Sequence, residues 1–199
     1  MNESKPEEHT IHEIEAIVAN KFSIEKIPYR GILQFKRVIS VFNNLDGLQG
    51  KRILDLGCGS TLTKDKSIFS SADSQRDYEP WLCRLLEEAG AHSVGIDIHN
   101  LSNESFEHYQ GDLSKEAVFD FMPDESIDLI NSCSLLGNCP SPLLLAREDF
   151  DKQKTEDMHL MQAWRLLKER GVYLYDILYV YRKENGIPVK YEHIKDLKK

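Results

Sequence analysis

Apolar residues recur in this chain of 199 residues with two different spacings, and the spacing changes from one segment to the next. Positions three or four residues apart form a stripe on a helix, whereas short continuous runs are typical of buried strands. Before residue 48, two stripes predict two helices, the second ending at the turn cluster of residues 43–47. The stripes consist of Ile11, Ile14, Ile17 and Val18, and of Ile32, Phe35, Val38, Ile39 and Phe42.

After residue 48, predicted strands alternate with predicted helices. Helices are predicted from Pro80 to a stop at Gly90, from a cap at Ser114 through residue 121, and through Met158, Met161 and Trp164 to a stop at Gly171. The pair Asn185-Gly186 predicts a hairpin, so that residues 187–194 fold back antiparallel. The predicted strands contain Ile53 and Leu54, residues 93–98, a weaker run leading to Asp112, residues 127–130 reaching Asn131 and Ser132, and residues 172–181.

This alternation predicts an α/β fold of three layers, with helices on both faces of a mostly parallel central sheet. One antiparallel strand is expected at its C-terminal edge, because the chain is short after the fifth strand. We expect a single domain over residues 1–199. Its N-terminal helices, within residues 1–48, would cover the ligand side of a core formed by residues 49–199.

The end of the first strand carries the most informative pattern, since residues 54–59 read Leu-Asp-Leu-Gly-Cys-Gly. Gly57 and Gly59 allow the backbone to adopt positive φ and to approach a ligand without a Cβ in the way. A strand, a glycine turn and a helix can also connect without any ligand, but that connection does not need Asp55. The pattern therefore predicts a cradle for a small molecule.

Polar residues stand at the ends of four predicted strands: Asp55, Asp97, Asp112, and Asn131 with Ser132. In an open parallel sheet, ligands bind outside the carboxyl ends of the strands, near the point where the strand order reverses. A carboxylate at the end of the second strand can accept both hydroxyls of a ribose, so Asp97 is the predicted ribose ligand. The alternative for each aspartate is a helix cap or a loop turn.

The composition indicates which classes of binding partner are improbable. A net charge of −8 argues against a nucleic-acid partner, because such binding depends on clustered lysine and arginine. The acidic first twenty residues do not resemble a secretory leader, and no stretch of eighteen apolar residues follows, so we expect a cytoplasmic protein with no membrane partner. Four cysteines without metal-ligand spacing, Cys58, Cys83, Cys133 and Cys139, are expected to be reduced core thiols, and no metal site is predicted.

Four segments resemble, in order, the motifs of class I S-adenosylmethionine-dependent methyltransferases: residues 54–59, 94–97, 111–113 and 127–130. The resemblance covers roughly residues 50–176. It implies a Rossmann-like fold and S-adenosylmethionine as the cofactor. Leu62 stands where the dinucleotide fingerprint requires its last glycine, which separates the two families.

The resemblance also implies roles for ten residues. The methionine part of the cofactor would lie on Asp55 and on the backbone of Gly57, Cys58 and Gly59, and the ribose on Asp97. Ile98 would cover one face of the adenine, and Asp112 with Leu113 its edge. Asn131 and Ser132 would border the sulfonium.

These roles predict methyl transfer to a small-molecule or protein acceptor by in-line displacement. A non-catalytic relative that only binds the cofactor is the alternative, and a nicotinamide-dependent oxidoreductase is a third. No catalytic residue is assigned, although His99, Asp128, Asp149 and His159 are candidate bases. Substrate contacts are expected from residues 11–42, 60–77 and 133–150, and residues 60–77 form either a lid or a surface insertion. The sequence predicts no oligomeric state.

Overall fold

The computed structural model describes residues 27–60, 78–133, 149–176 and 178–198, and seven strands within them form one sheet. The strands from β1 to β5 run parallel, and β6 and β7 are antiparallel to their neighbours. Their spatial order is β3-β2-β1-β4-β5-β6-β7. They are β1 Arg52–Leu56, β2 His92–Asp97, β3 Glu107–Gln110, β4 Ile127–Ser132, β5 Leu167–Tyr175, β6 Tyr179–Glu184 and β7 Ile187–Tyr191.

Helices cover both faces of this sheet. Two of them, α1 Tyr29–Phe42 and α2 Trp81–Glu88, pack on one face, and α3 Lys152–Leu166 packs on the other. Short 3₁₀ turns occupy Asp46–Leu48, Glu116–Phe119 and Ile194–Lys198. The predicted three-layer α/β/α fold with a mostly parallel sheet is therefore confirmed.

Strand alternation divides the core into two layers. Ile53 on β1 and Leu129 on β4 face α1 and α2, where Phe35 and Leu85 lie. The next residue of each strand faces the other way, as Leu54 does toward the α3 side. Continuous apolar runs in the central strands follow directly from burial on both faces.

The strand order reverses at β1, so that successive strands are added first on one side of it and then on the other. After β1 the chain adds β2 and β3 on one side, and it then returns to place β4 on the other side. Asp55 consequently lies between Gly95 of β2 and Asn131 of β4 in the sheet register. Parallel α/β sheets bind ligands in the crevice at such a point.

The prediction of one strand over residues 172–181 is wrong, because the chain turns back after Tyr175. Asp176 adopts a φ of 54° there, and β6 pairs antiparallel with β5. The guanidinium of Arg37 on α1 donates to the backbone carbonyls of both Asp176 and Tyr179, at 3.1 Å for the latter. A contact from a distant helix therefore holds a turn that carries no glycine or proline.

Two more boundaries differ from prediction. The long helix does not stop at Gly171 but at Leu166, and β5 begins at once with an irregular register opposite Ile127 and Leu129. The predicted helix from Ser114 through residue 121 is only the 3₁₀ turn Glu116–Phe119, and it has no side-chain cap. The hydroxyl of Ser114 instead donates to Asp112 at 2.8 Å.

The predicted hairpin at Asn185-Gly186 is confirmed, with φ of 52° and 76° at its two turn residues. Because the reversal at Asp176 creates an additional strand, two antiparallel strands follow β5 instead of the single one expected. The predicted helix of Ile11 to Val18 lies outside the described residues. None of the described helices combines the length and apolarity needed to cross a bilayer.

A buried histidine ties α3 to the segment after β3. His159 lies on α3 with 1% of its surface exposed, and its Nε2 lies 2.6 Å from the backbone carbonyl of Leu113. The carbonyl can only accept, so Nε2 carries the proton and Nδ1 does not. Burial lowers the pKa of His159, which keeps the ring neutral.

We expect His159 to make folding stability depend on pH. The unfolded chain takes up a proton at His159 below about pH 6.5, whereas the folded chain does so only at lower pH. The free energy of unfolding should therefore decrease as the pH is lowered through that interval. His159→Gln should cost about 1 kcal/mol at about pH 8, and its deficit should shrink toward about pH 5. Urea titrations across this range measure both effects.

The control is His92→Gln, since His92 is exposed at the start of β2. Its stability should follow that of the unmodified protein at every pH. Parallel curves for His159→Gln and the unmodified protein would contradict the prediction.

Candidate ligand site at the carboxyl ends of the parallel strands

The turn after β1 is a tight backbone loop closed on its neighbours. Gly57 and Gly59 have φ of 72° and 90°, as the sequence predicts. The amides of Gly57 and Cys58 donate to the carbonyl of Ile96 on β2, at 2.8 and 3.2 Å. A Cβ on Gly59 would lie 1.9 Å from the carbonyl oxygen of Tyr78, so only glycine fits this position.

Asp97 at the end of β2 holds this turn through its carboxylate. Its Oδ2 accepts from the backbone amide of Gly59 at 3.0 Å. Its Oδ1 accepts from the backbone amide of His99 at 2.9 Å and lies 3.0 Å from Nδ1 of the His99 ring. Asp97 is 8% exposed, so most of its carboxylate is satisfied inside the protein.

Asp55 forms a buried pair with Asn131 of the adjacent strand. The Asn131 side-chain amide donates to Asp55 Oδ1 at 2.7 Å, and the two residues are 4% and 1% exposed. The Cys83 thiol is 4.0 Å from Asp55 Oδ2. Asn131 Oδ1 is buried and has no hydrogen-bond partner. Asn131 Oδ1, and Asp55 Oδ2 beyond its long contact with the Cys83 thiol, therefore have unused capacity to accept hydrogen bonds.

The charge of Asp55 is poorly compensated. Burial raises the pKa of its carboxyl to about 7, although the hydrogen bond from Asn131 lowers it. The negative charge of Asp97 adds to the increase, and the positive charge of Arg30 on α1 opposes it. Near neutral pH, this carboxyl is therefore close to half ionised, and any cation that binds beside it favours the ionised form.

Cys58 belongs to the turn, but its side chain points away from the site. It packs with Cys83, Leu101 and Phe106 in a small apolar cluster. A Cβ on Gly95 would lie 2.8 Å from the Cys58 sulfur, which explains why β2 has glycine there. The contact with Cys83 and burial raise the pKa of the Cys58 thiol, so it stays protonated. Any contact of Cys58 with a ligand has to come from its backbone.

The predicted adenine residues occupy different positions. The side chain of Ile98 is 47% exposed directly after β2 and offers a free apolar face. Leu113 is buried, and its carbonyl is engaged by His159. Asp112 Oδ1 accepts from the backbone amide and the hydroxyl of Ser114, at 2.9 and 2.8 Å. This loop-turn role is the alternative that the sequence left open for each aspartate.

Ser132 does not join the site, although Asn131 does. Consecutive strand residues point to opposite faces, so Asn131 lies on the α2 face with Asp55, whereas Ser132 faces the α3 side near Tyr173. The structure brings together Asp55, Gly57, Gly59, Asp97, Ile98 and Asn131 at one edge, and it separates the side chains of Cys58 and Ser132 from them.

Among the four candidate bases, His99 alone has its ring at this edge. Asp128 lies near the amino end of β4, where it accepts from the Arg52 amide and from Lys168. Asp149 is exposed and lies 3.4 Å from Lys115. His159 is buried beneath Leu113.

Two electrostatic interactions of α1 and α2 were not predicted: the charge of Arg30 acts on Asp55, and Arg84 forms ion pairs. Arg30 is followed by Gly31, where an added Cβ would lie 2.9 Å from Cβ of Trp81, so α1 begins against the first residue of α2. Arg84 forms a two-pronged ion pair with Glu104 at 2.9 and 2.7 Å and contacts Glu79 at 2.7 Å. Sequence spacing contains no signal for either contact, because both depend on how helices pack.

The expected insertion at residues 60–77 and the substrate segment at 133–150 lie largely outside the described residues, as does Cys139. Cys58, Cys83 and Cys133 are not disulfide-bonded. In the described part of the chain, no three His, Cys, Asp or Glu side chains converge as metal ligands do. The site thus combines buried acceptor oxygens with an exposed apolar side chain at the same edge of the sheet.

Several solved structures are similar to this chain at low identity. A SAM-dependent methyltransferase from Archaeoglobus fulgidus has a TM-score of 0.45 and 17% identity, over 75% of this chain and 53% of its own. The carbon methyltransferase CurJ has a TM-score of 0.42 and 14% identity, over 98% of this chain and 45% of its own. A SAM-dependent methyltransferase from Aquifex aeolicus has a TM-score of 0.38 and 16% identity, over 82% of this chain and 70% of its own.

The chain spans about half the length of the first two of these proteins. No protein-family model matches its sequence, and no curated protein does. Likeness at this distance transfers no function to the chain.

Proposed function

We propose that this protein binds S-adenosylmethionine and transfers its methyl group to a small-molecule or protein acceptor. The observation that carries the proposal is the buried Asp55–Asn131 pair at the strand-order reversal, next to a glycine turn held by Asp97. The ordered motifs in the sequence support the same ligand.

The residues at this edge of the sheet fit the two ends of this cofactor. An α-ammonium group has three N–H donors and a positive charge, which match the unused acceptor capacity of Asp55 Oδ2 and Asn131 Oδ1. A ribose diol matches the Asp97 carboxylate, and the exposed side chain of Ile98 can cover an adenine face. Asp55, Asn131 and the backbone of Gly57 and Gly59 would hold the methionine part.

The bound cofactor would supply a methyl group already activated by its sulfonium. The work of the chain is then to orient that group and exclude water, and no general acid or base is obligatory. Asp55 would neutralise the ammonium, and Asp97 would fix the sugar relative to the turn. Both act as positioning groups.

The alternative of a non-catalytic binding protein had one sequence argument, a sheet that is too short after the fifth strand. Two antiparallel strands follow β5, so the described sheet gives that alternative no support. The nicotinamide alternative also lacks a supporting observation among the described residues.

Binding of S-adenosylhomocysteine tests the cofactor. We expect the protein to bind it in isothermal titration calorimetry and Asp97→Asn to weaken binding by about ten- to one hundredfold, because a charged acceptor becomes an amide. Asp120→Asn is the matched control, since Asp120 is exposed at the end of a 3₁₀ turn. No binding by the unmodified protein, or equal affinity in Asp97→Asn, would contradict the proposal.

Proton release tests the role of Asp55. With a pKa of about 7, its carboxyl carries about half a proton at neutral pH, which an arriving ammonium should expel. Binding enthalpies in buffers of different ionisation enthalpy report that proton. Asp55→Asn should bind more weakly and release about half a proton fewer near pH 7, whereas equal release by both proteins would refute this role.

Turnover separates an enzyme from a binding protein. We expect transfer of a labelled methyl group to at least one member of a panel of metabolites and peptides with oxygen, nitrogen or sulfur nucleophiles. Asp97→Asn should lower this rate along with its affinity, and Asp120→Asn should not. Tight cofactor binding with no transfer to any acceptor would favour the non-catalytic alternative.

A further inference from the structure

The carboxylate of Asp97 has little room for a ligand. A carboxylate offers about four lone-pair positions on its two oxygens. Two positions on Oδ1 are taken by the amide and the ring of His99, at 2.9 and 3.0 Å, and one on Oδ2 is taken by the amide of Gly59 at 3.0 Å. One position on Oδ2 therefore remains.

A vicinal diol needs two acceptor positions, one on each oxygen. The two backbone amides cannot leave without unfolding the turns at Gly59 and His99. The His99 ring can leave, because its side chain is 25% exposed and can rotate into solvent without moving the backbone. Among the residues that the structure describes, it is thus the one exchangeable partner of the Asp97 carboxylate.

We propose that the imidazole of His99 competes with the ribose for Asp97 and must be displaced when the cofactor binds. This inference rests on the proposed function, because it takes the ribose as the ligand of Asp97. In the ligand-free protein, the ring keeps the carboxylate satisfied at 8% exposure, where an unpaired charge would be costly. His99 then limits affinity and does not contribute to it.

The competition depends on pH. The hydrogen bond to Asp97 raises the pKa of His99, so the imidazolium holds the carboxylate more tightly than the neutral ring does. Displacement returns the His99 pKa toward its ordinary value of about 6.5 and releases a proton. Affinity should therefore rise as the pH rises from about 6.5 through the raised pKa.

Other titratable groups interact with Asp97 or lie close to it. Asp55 on β1 and the Cys58 thiol of the turn both interact with the charge of Asp97, and Asp112 follows the segment whose Gly111 amide donates to the Asp97 carbonyl at 2.9 Å. Asp55 titrates at about 7, and its ionisation also favours binding at higher pH. Any test has to separate His99 from Asp55.

The first measurement is the affinity for S-adenosylhomocysteine at about pH 6, 7 and 8, by isothermal titration calorimetry on the full chain. His99→Ala should bind about three- to tenfold more tightly than the unmodified protein at the lowest pH, and this gain should shrink at the highest. The pH dependence that remains in His99→Ala belongs to Asp55. His92→Ala, at the exposed start of the same strand, should match the unmodified protein.

Two further measurements make the result specific. The gain in His99→Ala should be smaller for the 2′-deoxy analogue, which needs only one acceptor position. In NMR titrations, the His99 ring should show a raised pKa in the free protein and a lower one when S-adenosylhomocysteine is bound. The thermal midpoints of His99→Ala and of a second variant, His99→Asn, are compared with that of the unmodified protein. A lower midpoint in both variants would reveal a folding defect caused by loss of the imidazole.

Each outcome decides between the two proposals. If His99→Ala binds equally or more weakly at every pH, or if the His99 pKa does not change on binding, the competition is wrong while the proposed function stands. If the unmodified protein binds no S-adenosylhomocysteine at any pH, the proposed function fails and this inference fails with it.

Discussion

The hydrogen bond between Asp55 and Asn131 joins the two central strands at the point where the chain reverses its order across the sheet. A carboxylate that is 4% exposed pays a large desolvation cost, and a single amide at 2.7 Å does not cancel it, as the pKa of about 7 indicates. Replacing this pair by apolar residues would suit a purely structural core. A buried acid with spare acceptor capacity therefore supports the proposal of a cationic ligand at this position.

Most of the sheet could be predicted because local signals agreed with the final packing. The strands through Leu54, Val94 and Leu129 are continuous apolar runs, and Asn185-Gly186 defines its hairpin by backbone preference alone. The reversal at Asp176 could not be predicted, because the flanking residues all favour strands and the turn is held by Arg37 from a helix 139 residues earlier. Local patterns do not encode contacts of that range.

The candidate site was likewise only partly predictable from the sequence. Gly59 and Asp97 meet as predicted, because parallel strands deliver their carboxyl ends to one edge. Ser132 was grouped with Asn131 as a neighbour in sequence, yet strand alternation alone places its side chain on the other face. That orientation of the Ser132 side chain could have been derived from the sequence. Cys58 was expected to be a core thiol with only its backbone near the ligand, and its side chain does pack in a buried apolar cluster.

Under the proposed function, Asp97 would serve the fold and the ligand with the same two oxygens. Its contacts to the amides of Gly59 and His99 shape the turn before any ligand arrives, which lowers the ordering cost of binding. Those contacts also consume acceptor capacity, so in the proposed competition a ligand with one hydroxyl would use the remaining position, whereas a diol would have to displace the His99 ring. Selectivity for a diol then depends on the free energy of releasing that ring. A carboxylate built into a preorganised turn would therefore gain geometric precision and lose affinity. In this proposal the size of that loss depends on the His99 side chain, which would touch neither the methyl group nor its acceptor.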